Sequence, residues 1–382
     1  MRFNRKAAPL LLLGLCLGQT GCFWLLPAML DNNSRDQISS TTLLQAAREY
    51  AATKPLYRTA STKTVSFEAE AAAERSDVPT NVYERHVKSL LTGWDFAGLD
   101  KEAAEVRASK ARVLGGQWKL SRFYSAVSEP PGGSSETDWI DHLEALKQWA
   151  AKEPNSATPH IALAASYINY AWHARGNGVA STVTRQEWQE YYERINLAAQ
   201  SLLDAAKMKE RCPVWFSTMQ TVALAEGWDK QQVRELFELA SSFEPDFLTY
   251  DAKYTYYLTP KWYGEPGESE EFVNATAQKL GGQKGQVAYF EMAVQLVCTC
   301  ESDRPPLPSG LSWPKIREGF EAINRLYGVS NQQLNDYALI AYAAGDKATA
   351  HGAFAKIGDD WSEKTWWRQD VFKDAKAWAS GM

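Results

Sequence analysis

The sequence predicts an all-α fold built as an irregular solenoid of helical hairpins. Two observations lead there. From about residue 82 onward apolar residues recur every three to four positions, and no stretch alternates with the two-residue rhythm of a half-buried strand. Helix-start and helix-stop chemistry interrupts that run at short intervals, as expected of many short helices packed side by side.

The pattern predicts helices over 43–52, 82–91, 101–114 and 118–127, then a break at Glu129-Pro130-Pro131-Gly132-Gly133-Ser134-Ser135. Helix 139–152 follows, with Ile140, Leu143, Leu146 and Trp149 on one side. The central pair is the clearest. Helix 159–174 starts where Thr158 offers a capping hydroxyl ahead of Pro159, and carries Ile161, Ala164, Ala165, Ile168, Ala171 and Trp172. Arg175-Gly176-Asn177-Gly178 stops it. Helix 185–209 opens on the capping-box spacing Thr184-x-x-Glu187 and carries Ile195, Ala198, Ala199, Leu202, Leu203 and Ala206. Further helices are expected at 215–225, 231–243, 247–258, 270–280, 286–300, 314–327, 332–343, 347–357 and 364–378, with Gly115-Gly116 and Gly281-Gly282 as helix stops. Residues 54–80 show no clear periodicity.

Leu334, Tyr337, Ala338, Ala341, Gly345-Asp346, Ala350, Phe354 and Ile357 match a tetratricopeptide unit, except that Ala341 stands where a tyrosine is usual. Ala338 and Ala350 permit close helix approach, and Phe354 is placed to wedge into the next pair. Segments 139–155 and 233–246 each resemble a second repeat helix, at a spacing that is no multiple of the repeat length. The fold expected is therefore a degenerate, tetratricopeptide-like solenoid. The expected organisation is a signal peptide over 1–22, a tether and poorly defined segment over 23–80, an N-terminal helical part over 81–128 and the main repeat domain over 135–382.

Composition narrows the function. The 382 residues carry a formal net charge of −5, more negative once Arg2, Arg5 and Lys6 are removed with a leader. Nucleic-acid binding rests on clustered Lys and Arg, and the sequence offers no such cluster. The N-terminus shows a positive start, an apolar run over 7–17, and Thr20-Gly21 ahead of Cys22. That pattern resembles a bacterial lipoprotein signal with Cys22 as the lipidated residue. Gln19 and the apolar Phe23-Trp24-Leu25-Leu26 depart from the usual signal, and an uncleaved anchor over 7–30 is the competing reading. Either places the globular part in the cell envelope, in the periplasm.

Four segments taken together, Gly116-Gln117-Trp118-Lys119-Leu120 with Phe123-Tyr124, Tyr167-Ile168-Asn169-Tyr170-Ala171-Trp172 with Ala174-Arg175-Gly176, Glu210-Arg211-Cys212-Pro213 with Trp215, and Pro260-Lys261-Trp262-Tyr263-Gly264-Glu265-Pro266-Gly267, resemble the uncharacterised bacterial family called domain of unknown function 4034. The resemblance spans about residues 82–360. It implies a tetratricopeptide-like helical fold and no established activity, so no catalytic residue is carried over.

Reaction chemistry is sparse. His86, His142, His160, His173 and His351 include no i,i+4 metal pair, and solvated helix faces are expected for them. Cys298-Thr299-Cys300 lacks the two further ligands a metal needs nearby, so Cys212, Cys298 and Cys300 are expected either as buried thiols or with Cys212 paired to one of the other two. No cofactor fingerprint occurs. The acidic stretches 187–193 and 269–271 are expected on solvated helix faces. The candidate ligand groove is polar-aromatic: Tyr170, Arg175, Trp188, Arg211, Trp215 and Trp262, near helix ends where Arg beside aromatic faces suits a carboxylate or peptide. The competing reading is that they lock irregular turns. The function expected is an envelope-anchored, non-catalytic module that binds an envelope protein or peptide. The alternatives are a cell-wall or glycan-acting enzyme, which needs two carboxylates on one cleft, and a structural spacer.

Overall fold

The computed structural model describes residues 37–53, 80–176, 180–298 and 302–381. The expected signal peptide with Cys22 and the competing anchor lie outside these residues, as do most of 54–80, Asn177-Gly178 and Cys300. Seventeen α-helices make up the described residues, which contain no strand. Ile38–Met382 forms one compact unit, and no described helix is long and apolar enough to cross a membrane. The fold class read from the sequence is thus the observed one.

Helix α1 is Ser40–Ala52, capped by Ser39, whose hydroxyl accepts the Thr42 N–H. It is the helix expected at 43–52, starting three residues earlier, and its Leu43, Leu44, Ala47 and Tyr50 are buried against later helices. Helices α2 (Thr80–Thr92), α3 (Phe96–Ser109) and α4 (Lys119–Val127) follow. The third starts and stops earlier than expected, because Asp95 caps it and Lys110 ends it in the left-handed conformation. Helix α5 (Glu136–Lys152) opens on a Ser135–Asp138 capping box. The preceding Pro-rich loop, where the sequence suggested a soft boundary, lies inside the compact unit. His142 and Asn169 bond back across it to Val127 and Ser128.

The longest hairpin is α6 (Thr158–Arg175) with α7 (Arg185–Lys207), and the Thr184–Glu187 capping box is formed. Thr158 is not the cap expected of it. It lies within the first turn, and its hydroxyl donates to Glu210 Oε1 at 3.0 Å. Next come α8 (Pro213–Glu226), α9 (Lys230–Phe243), α10 (Thr249–Tyr257) and α11 (Glu268–Leu280). Helix α12 (Gly282–Ala293) is shorter than expected: a 3₁₀ turn, Val294–Leu296, ends it before Cys298. Helix α13 (Trp313–Tyr327) crosses it closely at Gly319, where a Cβ would lie 2.4 Å from the Gln286 carbonyl oxygen.

The predicted repeat unit is the hairpin α14 (Asn331–Ala343) with α15 (Lys347–Ile357). Ala338 and Ala350 are fully buried in it, and Phe354 packs on Trp366 and Phe372 of the next helices. The expected last helix is broken in two, α16 (Glu363–Trp366) and α17 (Gln369–Ser380). The break falls at Trp367, whose φ of +59° no α-helix can continue through.

The core comes as two apolar clusters, one running from Leu43 to Leu258 and the other from Leu248 to Ala379, with Phe272 packed on both. A turn at 112–118 ties them. Gly115 and Gly116 are not helix stops but a docking point. Gly115 accepts a 2.6 Å bond from Gln333 Nε2, and its N–H donates to the Gly328 carbonyl. A Cβ on Gly115 would fall 1.9 Å from the Gln333 side chain, and one on Gly116 2.5 Å from the Tyr327 ring. Both also have positive φ, so glycine is required here twice over.

A candidate ligand-binding cleft

Where the two clusters meet, the chain leaves a cleft of about 430 Å³. The α14 capping box fixes one wall: Ser330 and Gln333 hold the helix start while the Gln333 amide reaches Gly115. From that wall project Gln332, Gln333 and Asp336. Helix α12 supplies Glu291, and the segment after it supplies Gln295 and Cys298. Arg122 comes from α4, Tyr256 from the end of α10, and Lys364 and Thr365 from α16, with Trp367 at the rim. The loop that presents α16 is ordered by Asn335, which is fully buried and accepts from the Trp366 indole and the Ser362 N–H.

Two carboxylates define the electrostatics. Asp336 is anchored: it accepts the Thr365 hydroxyl at 2.6 Å and the Gln332 amide at 2.9 Å. Burial still raises its pKa, because those bonds only partly replace water. Glu291 is less well held, and burial together with the Asp336 charge pushes it up to about 7, against a smaller opposing effect of Gln333, Arg122 and Lys364. Both are partly open to the cleft. No Lys or Arg among the described residues pairs with either of them within 4.0 Å. Lys253, outside the cleft lining, donates to Thr221 Oγ1 at 2.5 Å and is held down to about 8 by burial and by the Lys364 charge. A site with an anchored carboxylate, a second one raised toward neutrality, an amide wall and cations can hold a small polar molecule bearing charge of both signs.

The residues expected to form the groove do not form one. Trp215 is fully buried, stacked on Tyr50 at 4.3 Å, and its indole N–H donates to the Leu202 carbonyl at 2.8 Å. Arg211 lies over the Tyr50 ring at 4.5 Å and donates to the Met208 and Glu210 carbonyls, which locks the turn before α8. Tyr170 is buried elsewhere, stacked on Trp139, under the Arg194 guanidinium and bonded to Glu136; burial and that bond raise it to about 12. Only Arg175, Trp188 and Trp262 converge. The Arg175 guanidinium sits 5.3 Å from the Trp172 ring and 5.4 Å from the Trp188 ring, and Trp172 meets Trp262 edge-on. Tyr256 joins this aromatic group to the cleft, 5.7 Å from Trp262.

Other expectations also change. His142 is not solvated: the residue is 4% exposed, Nε2 lies 3.1 Å from the Val127 carbonyl oxygen, and burial lowers its pKa to about 4. Cys212 is a free, buried thiol, so it pairs with neither Cys298 nor Cys300. Cys298 is in a disulfide whose partner lies outside the described residues. Ser269 and Tyr191, inside or beside the acidic stretches, are buried while the acids around them face outward or cap. Among the described residues no group of three His, Cys, Asp or Glu is placed to hold a metal ion.

Sequence reasoning missed Glu291, Asp336 and Lys364. Each sits singly on its own helix, and their helices come around one space through packing in the second apolar cluster and the Thr365–Asp336 bond, contacts between positions far apart in the chain. A second cavity of about 660 Å³ follows α13 and α15, but it is an open furrow, and its charged lining residues, such as Arg317, Glu321 and Lys356, are all exposed. Charges bathed in water discriminate weakly between ligands; Lys364 and Lys261 at the mouth of the cleft are exposed too, but Glu291, Asp336 and Arg122 are half-buried, so the cleft is the stronger candidate. Comparison with protein-family models, with curated proteins and with solved structures finds no match to this chain.

Proposed function

We infer that the protein is a helical-repeat binding module that takes a peptide in the cleft between α4, α12, α14 and α16. The observation that carries this reading is the cleft itself: its volume falls in the range of about 300–1,000 Å³ usual for small-ligand sites, and its wall presents side-chain amides suited to a peptide backbone. Trp367 supports it. The side chain is 47% exposed at the rim, on a backbone held at φ +59°, a conformation that costs a non-glycine residue about 1–3 kcal/mol. The reading includes anchorage at the cell envelope through Cys22, as the leader suggests, and membership of the family the four segments resemble. In the test, Trp367→Ala weakens capture of envelope-derived peptides by calorimetry and leaves the unfolding midpoint unchanged, since alanine keeps the Cβ that strains this backbone. Equal peptide affinity in the variant sinks the assignment.

A second reading, glycan hydrolysis, is favoured by one observation: Glu291 and Asp336 face the same cleft, and one of them keeps its proton to about pH 7. Release of soluble sugar from cell-wall material, abolished by Glu291→Gln and by Asp336→Asn, is the outcome that reading requires.

A further inference from the structure

We propose that the cleft reads the two ends of a short zwitterionic peptide, with the free ammonium set between Glu291 and Asp336 and the free carboxylate set against Lys364. The inference rests on the peptide-binding reading above and names the ligand's charge layout. Three features of the site argue for it.

The first is the pair of carboxylates on facing helices, α12 and α14, without a cation of the described residues within pairing distance of either. Two like charges in a concave wall destabilise each other, and an ammonium placed between them relieves that repulsion. The second is the position of Lys364. It lines the same cleft at its exposed mouth, it has no carboxylate of the described residues within 4.0 Å, and its charge is felt by Glu291 and Asp336. Arg122 extends this side: its Nη1 lies 3.5 Å from Glu84, while its Nε is buried without a hydrogen-bond partner among the described residues. The third is the set of amides that line the cleft beside these charges. Gln295, Gln332 and Gln333 offer amide donors and acceptors that match peptide units rather than hydrocarbon.

The charged and titratable groups around Glu291 are Asp336 from α14, Arg122 from α4, Lys364 from α16, and Tyr256 and Lys261 from α10 and the loop after it. Of these, Asp336 raises the proton affinity of Glu291 and Arg122 and Lys364 lower it, with burial the largest effect. Because an ammonium needs the ionised carboxylate, peptide affinity rises as pH increases from 5.5 to 7.5, a range in which a peptide amine stays largely protonated.

The test uses the full chain and four probes at pH 7.5, by calorimetry: trialanine, N-acetyl-trialanine, trialanine amide, and the doubly blocked peptide. Trialanine binds, and each single block weakens it at least tenfold. Glu291→Gln erases the preference for the free amine and Lys364→Met erases the preference for the free acid. If all four probes bind alike, the ends are not read and the inference falls, while the peptide-binding reading stands. If none binds, both fall. If trialanine is preferred but neither substitution changes that preference, the ends are read elsewhere and the assignment to this cleft is overturned.

Discussion

At the scale of single residues, the molecule uses burial to set protonation. His142 shows the sign of the effect. Its pKa of about 4 in the fold lies below its ordinary 6.5, so the fold favours the neutral ring. The stability it contributes is full above about pH 6.5 and is lost as pH falls from there toward 4, because the unfolded chain takes up the proton first. The shift corresponds to about 3 kcal/mol. Asp100, Asp251 and Glu291 are raised instead, to about 6, 6 and 7, and act in the opposite direction as pH rises. A comparison that isolates His142 is therefore urea unfolding of wild type and His142→Gln at pH 7.5 and at pH 5. The wild type loses stability relative to the variant on acidification; parallel curves contradict the assignment. Trp215 belongs to the same scale. Its indole is enclosed and hydrogen-bonded, so Trp215→Ala costs about 3–5 kcal/mol of stability as a cavity mutation. A variant that unfolds at the wild-type urea concentration contradicts that role.

At the scale of elements, the turn at 112–118 forms one wall of the cleft and docks on the start of α14. Gly115→Ala puts a methyl group into the Gln333 amide on a backbone with φ +91°. A loss of about 2–4 kcal/mol follows from strain plus a displaced buried amide. Because Gln333 caps α14 and lines the cleft, peptide affinity falls with stability in this variant, whereas in Trp367→Ala the two separate. Stability within about 0.5 kcal/mol of wild type for Gly115→Ala, by chemical unfolding, removes the turn from this role. The same turn shows what a sequence discloses. Periodicity and capping are local, so the α6–α7 hairpin, its Thr184 box and the α14–α15 repeat were legible to within a few residues. The Gly115-Gly116 pair looked like a helix stop because its partner, Gln333, is more than two hundred positions away. Trp367 gave no warning of a break, since tryptophan carries no turn signal. Glu291 and Asp336 were invisible as a pair for the same reason as Gly115 and Gln333. Arg175, Trp188 and Trp262 could be grouped from the sequence because they flank helix ends; Trp215 and Arg211 shared that position but turn inward to serve packing.

At the scale of the whole molecule, two apolar clusters meet and do not merge completely, and the space left between them is lined by polar groups from five helices. A solenoid that stacks regular hairpins buries its seams, whereas here irregular docking leaves one open and charged. The claim on which the account depends is that this seam is a ligand site. The measurement that addresses it most directly is a crystal structure of the protein soaked with trialanine. The account predicts peptide density in the cleft with its amine at Glu291 and Asp336 and its carboxylate toward Lys364. An empty cleft beside a peptide bound in the open furrow along α13 and α15 contradicts it.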